Sequence, residues 1–299
     1  MHKKKASVTE LFAQGKWMDA LDLLNLIAFA KEVAEDAILL QGYTDLTTRQ
    51  LHDASLGCII FGYIPPNRLQ CVWSLQHPDY QGPCLYPGCS KLRCQGNRLI
   101  ITNKQPLEMH VHLPHHKNDG VWDNEPITFQ LPSALASLLF EWTSFGHKHM
   151  CMQLQPQQAP SPYVFMNLKG LPFNTTTLGS YWQKWIKEQG GAPNLRPSRC
   201  RHIFVDERLS ADRVEGPLDT GAAMAMGNSV SAWNLHYHRQ KHFHPKEAQQ
   251  AVNSMDLWRE SLQQSTTPPA AIPAATTSSA ASGLLSLVPR NTSQKQAWC

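Results

Sequence analysis

The hydrophobic period of this chain switches from helical to strand-like and back, which constrains its fold more than any other feature. From residue 7 to 40, Leu11, Phe12, Leu21, Leu24, Ile27, Phe29, Val33, Ile38 and Leu39 recur at helical spacing. Between 98 and 132, the runs RLIIT, LEMHVHL and PITFQLP alternate as half-buried strands do. Beyond Pro132, SALASLLFEWTSFGH and SYWQKWIKEQ return to the helical period. One short block of strands among helical stretches predicts an α+β fold, mostly helical, with one small antiparallel sheet.

Punctuation residues divide the chain further. The first helical stretch breaks near Gln14-Gly15 or further on, and Asp45 or Thr47 can cap a helix that ends near Gly62. Pro65-Pro66 then forces a turn and presents Arg68 at the start of a new helix. A Pro/Gln-rich linker covers 153–162, a short strand and turn follow in YVFMNLKGLPFNTT, and a helix over 180–189 points Tyr181, Trp182, Trp185 and Ile186 inward. One more helix is expected beyond Pro245, and the Ser/Thr/Ala/Pro-rich residues 263–299 read as disordered.

With 42% hydrophobic residues in 299, the chain can build one sizeable core, with material for a small second unit. A net charge of +4 permits nucleic-acid binding without demanding it. No apolar run approaches the roughly 18 to 20 residues that span a bilayer, and MHKKKASVTELF lacks the apolar core of a secretory signal, so a soluble, intracellular protein without a membrane partner is expected. Eight cysteines are too sparse for a disulfide scaffold in a chain of this length. Three of them, Cys84, Cys89 and Cys94, fall at equal steps in a Pro/Gly-rich loop behind His77. Three thiols and an imidazole can hold a structural zinc, and reduced cysteines that merely pack are the alternative.

The segment 197–239, PSRCRHIFVDERLSADRVEGPLDTGAAMAMGNSVSAWNLHYHR, is the most informative. It sets Arg201-His202 on a helix, follows with a Gly227-Asn228 turn, and places Tyr237 nine residues after Asn228. A lone tyrosine in such a run is ordinarily a packing residue. Here the order of Arg68, Lys117, Arg201, Asn228 and Tyr237 resembles the tyrosine recombinase (lambda-integrase) family. The wording Gly-Tyr-Ile-Pro-Pro-Asn-Arg looks most like the Crypton-type recombinases of eukaryotic mobile elements.

The resemblance covers about 45–239 and implies a catalytic domain over 45–262 with a Cys-rich insertion at 77–97. Residues 1–44 would then be a short helical remnant of a DNA-clamping domain. It implies Tyr237 as nucleophile, Arg68 and Arg201 as phosphate ligands, and Lys117, in a β-hairpin turn, as general acid, with Lys104 as runner-up. His202 and Asn228 would hydrogen-bond at the site, and Ser198 stands where the family has a histidine that assists deprotonation. Arg196, Arg199 and Arg208 would lie along the DNA backbone. The implied partners are duplex DNA and further copies of the chain, as a tetramer on DNA, in the nucleus, and the strand chemistry needs no cofactor. Serine cannot act as a base near neutral pH, so a catalytically impaired DNA-binding remnant is the alternative, and a zinc-stabilised interaction module is a third reading.

Overall fold

The computed structural model describes residues 7–90, 94–116, 126–154, 158–211, 249 and 252–260. Helix α1 (Val8–Ala13) begins at Ser7, whose hydroxyl accepts from the Glu10 amide while the Glu10 carboxylate accepts from the Ser7 amide. Gly15 then turns the chain with φ +62, and an added Cβ there would lie 3.0 Å from the Pro193 ring. Helix α2 (Ala20–Gln41) buries Leu23, Leu24, Ile27 and Ala34, chiefly against α3 (Asp45–Ile60). Phe29 and Leu39, which the spacing assigned to the apolar stripe, are instead 63% and 83% exposed. They lie off the line of contact with α3.

Helix α3 is the centre of the molecule, buried at every residue from Leu51 to Ile60. Its cap is Thr44, with Thr47 closing a reciprocal pair of hydrogen bonds, so the helix boundary matches the expectation and the capping residue does not. Gly57 lets this helix meet the Trp185 ring, which an added Cβ would approach to 2.6 Å. After the Pro65-Pro66 turn comes α4 (Leu69–Trp73), five residues long, with Arg68 at its N-cap.

The sheet is three-stranded and antiparallel in the order β1 (Arg98–Lys104), β2 (Leu107–Leu113), β3 (Ile127–Gln130). Val111 pairs with Leu99 and Phe129, which places Leu99, Met109, Val111, Leu113, Ile127 and Phe129 in the core. His110 and His112 take the other face, where the His112 ring lies 2.8 Å from the Thr128 hydroxyl. Both the strand positions and the alternation follow the sequence reading.

Helices α5 (Ser133–Glu141) and α6 (His147–Leu154) are joined by a π turn over Trp142–Gly146. The helical run thus extends past His147 and into the expected linker. Trp142 is fully buried, and its indole N–H donates to the Val164 carbonyl at 2.9 Å. Helix α7 (Thr175–Glu188) starts five positions before the expected 180, because Asn174 caps it by accepting from the Thr176 and Thr177 amides. Its inner face is Leu178, Trp182, Trp185 and Ile186, while Tyr181 is partly buried and donates to Asp53. Helix α8 (Pro197–Ala211) follows, anchored by Cys200, Ile203 and Phe204. Residues 252–260 form the helix expected beyond Pro245, and Trp258 packs edge-on against Phe61 and Phe204. Among the described residues, no helix is long and apolar enough to cross a membrane.

Candidate functional site

Two cationic side chains far apart in sequence act electrostatically on each other and on Cys71 of α4. Arg68 is held by the Pro65-Pro66 turn and by Asn67, which is buried and donates to the Pro65 carbonyl at 3.3 Å. Arg201 is carried on α8 by the buried neighbours Cys200, Ile203 and Phe204. Burial first and repulsion from Arg68 second bring the Arg201 guanidinium down to about 10, with Cys71 partly opposing. Burial also lowers Arg68, opposed by Cys71 and Tyr86. The buried Cys71 thiol is pushed up to about 11 by desolvation and drawn back by both Arg201 and Arg68. One side chain therefore senses both guanidiniums.

The Arg68 Nε is buried without a hydrogen-bond partner, and among the described residues no carboxylate lies within ion-pair distance of this side chain. A half-buried guanidinium with no acid beside it, next to a second one, suits a bound anion better than a structural ion pair. Around α8, Ser198, His202 and Arg196 are exposed and Arg199 is partly exposed. Arg196 and Arg199 line a concavity of about 270 Å³ together with Lys16, Gln183 and Asn194. Lys16 enters because Asn194 ties α1's end to the α7–α8 loop, donating to the Gln14 carbonyl from its side chain and to Gly15 from its backbone. Lys117, Asn228 and Tyr237 lie outside the described residues, as does the side chain of Arg208.

A second cluster sits beside the first. The Sγ atoms of Cys84, Cys89 and Cys94 and a ring nitrogen of His115 all lie within 4.8 Å of one another, a group that could hold a metal ion. His115 Nε2 stands 3.4 Å from Cys84 Sγ and 3.0 Å from Cys94 Sγ. Burial, with the adjacent Cys89 and Cys94 thiols, pushes the Cys84 thiol up to about 12, opposed by the Tyr86 amide. The fourth member corrects the sequence reading, which named His77. That ring packs against His147 with centroids 4.5 Å apart and lies 3.0 Å from the Thr143 carbonyl, on the π turn. The His77 ring is committed to His147 and Thr143, whereas the chain leaving β2 delivers His115 to the thiols.

Three further residues escaped the sequence reading. Asn97 is fully buried and clamps His115 by its backbone, with Oδ1 accepting from the His115 amide and Nδ2 donating to its carbonyl, each at 3.0 Å. Tyr86 stacks flat on the His115 ring at 4.3 Å. Cys71, on α4, reaches the His115 carbonyl at 3.8 Å. The only signal for Asn97 was a polar residue wedged between Gly96 and the first strand. In comparisons with known proteins, no family model, no curated protein and no solved structure matches this chain.

Proposed function

We propose that the chain is a DNA strand transferase of the tyrosine-recombinase type, acting on duplex DNA through a 3′-phosphotyrosyl intermediate on Tyr237. The observation that carries this reading is the unpartnered, buried Nε of Arg68, with no acidic partner among the described residues, within electrostatic reach of Arg201. Two guanidiniums this close suit a phosphodiester, whose non-bridging oxygens accept parallel N–H donors from each.

In this reading the Tyr237 phenol oxygen attacks phosphorus, the bond to the 5′-oxygen breaks, and Lys117 protonates that leaving oxygen. The two arginines neutralise the pentacovalent state, with hydrogen bonds from Asn228 and His202. Because the phosphotyrosine conserves the bond energy, rejoining to another 5′-hydroxyl needs no nucleotide cofactor. Arg196, Arg199 and Lys16 extend the positive face along the DNA backbone, with Arg208 further along α8. The chain would assemble as a tetramer on DNA in the nucleus, and the Cys₃His group would hold zinc as a structural ion, its four protein ligands leaving no open position.

A nicked suicide duplex tests the proposal, drawn from a library of random or element-end sequences, because cleavage releases the short 5′-hydroxyl fragment and strands the protein on the 3′-phosphate. A covalent adduct that disappears in Tyr237→Phe and in Arg201→Ala is expected. Absence of any adduct alongside salt-sensitive DNA binding would replace it with the second reading, a DNA-binding remnant. Ser198 favours that alternative, since it stands exposed where the chemistry calls for a base.

A further inference from the structure

We infer that the Cys84, Cys89, Cys94 and His115 group is a zinc-dependent latch that fixes α4 and thereby holds Arg68 in place. Zinc bonds of about 2.3 Å to sulfur and 2.0 Å to nitrogen give tetrahedral edges of roughly 3.5 to 3.8 Å. The observed separations, from 3.0 Å to a maximum of 4.8 Å, bracket that figure, so small shifts suffice to close on an ion. The backbone is already arranged for thiolates: the Tyr86 amide points at Cys84 Sγ at 3.4 Å and the Gly96 amide at Cys94 Sγ at 3.3 Å. Each donor lies two residues after its cysteine. Three thiolates with one imidazole in a tetrahedral closed set select zinc over the harder divalent ions.

The surroundings explain why an ion is needed there. No residue from 77 to 90 is buried, so apolar packing cannot hold this loop. Metal ligation supplies the missing folding energy as zinc displaces protons from the thiols. The same ligands then connect to the arginine site. Asn97 grips the His115 backbone on one side and donates to the Ser74 hydroxyl, at the end of α4, on the other. Cys71 bridges α4 to the His115 carbonyl, and Tyr86 stacks on the His115 ring. With the ion removed, the loop's hold on Tyr86 and His115 is lost, and α4 loses its outer support.

The consequence for DNA rests on the proposed phosphate role of the arginine pair, and the test separates the two. The full chain, purified without chelator, is assayed for zinc by elemental analysis and for cobalt substitution by its thiolate charge-transfer absorption. One zinc per chain is expected, lost in Cys94→Ser and His115→Ala but retained in His115→Cys, which keeps four ligands. Sub-stoichiometric zinc in the wild type, or full zinc in Cys94→Ser, overturns the inference. Hydrogen exchange of the α4 amides, compared before chelation, after it and after zinc is restored, reads the latch without DNA. Exchange should accelerate on chelation and recover with zinc, and unchanged rates overturn the coupling. Random-sequence duplex DNA should bind about tenfold more weakly to the zinc-free chain. If the zinc-loaded protein with a protected α4 fails to bind DNA, the latch stands and the strand-transfer reading falls.

Discussion

Replacing Arg68 with methionine should make the protein more stable and a worse DNA binder at once. The Arg68 Nε is buried and unpartnered, and an unsatisfied buried donor costs about 1–3 kcal/mol, toward the upper end for a charged group. The side chain is only partly buried, so solvent offsets some of that cost, and relief of about 1 kcal/mol is the working figure. Methionine keeps an unbranched stem over Cys71 and removes the charge that repels Arg201. For a domain of this size, 1 kcal/mol corresponds to a Tm increase of about 2–4 °C. Binding moves the other way: a charged hydrogen bond to phosphate contributes about 1.5–3 kcal/mol, so affinity for duplex DNA should fall about 10- to 150-fold. The slope of log affinity against log salt should also shrink by about one. Thermal melts and fluorescence anisotropy across a salt series measure both. A variant destabilised by more than about 1 kcal/mol, with DNA affinity and salt slope unchanged, would refute the reasoning and make Arg68 a structural strut.

Three other perturbations have defined outcomes. His147 is neutral in the fold, drawn down to about 3 by burial first and by His77 second, against an unfolded value near 6.5. The unfolded chain therefore binds this proton more readily, so stability is flat above about pH 6.5 and falls by up to about 1.4 kcal/mol per pH unit toward pH 3; urea melts of His147→Gln should show a shallower acid limb, and an unchanged slope would acquit this residue. Trp142→Phe leaves a void and orphans the Val164 carbonyl, which should lower the free energy of urea unfolding by about 2–3 kcal/mol. Gly96 has φ +70, and an added Cβ would fall 1.7 Å from Gln76 Oε1 and 3.2 Å from Cys84 Sγ. Gly96→Ala should thus cost about 1–3 kcal/mol in denaturant melts and reduce zinc content, and full zinc with wild-type stability would contradict it.

Much of this architecture could be read from local pattern. Period-two alternation located β1, β2 and β3, and the Pro65-Pro66 turn placed Arg68 at a helix start, because both features depend on neighbours in sequence. The start of α7 was also legible in Asn174 and the threonines after it, a reciprocal cap that apolar spacing does not register. The identity of the fourth ligand was not. His77 and His115 flank the same cysteines, and only the packing of His77 against His147 and the path of β2 choose between them. The proximity of Arg68 and Arg201 was an expectation from their order along the chain. It becomes physical only when α8 docks through Cys200, Ile203 and Phe204, contacts that no sequence window contains.

The π turn between α5 and α6 acts as a phase shifter. A regular helix advances about 100° per residue, so the one additional residue in this turn rotates everything after it relative to the face set by Leu135, Leu138 and Leu139. That rotation is what brings His147, Met150 and Cys151 inward and leaves Phe145 half exposed. Removing a single residue from 142–146 would preserve the composition and helical propensity of the segment while swinging its second half off register. His147 would lose the Tyr163 carbonyl, which it meets at 2.8 Å, and His77 its stacking partner. The segment should accordingly accept many substitutions on its outer surface and no change in length.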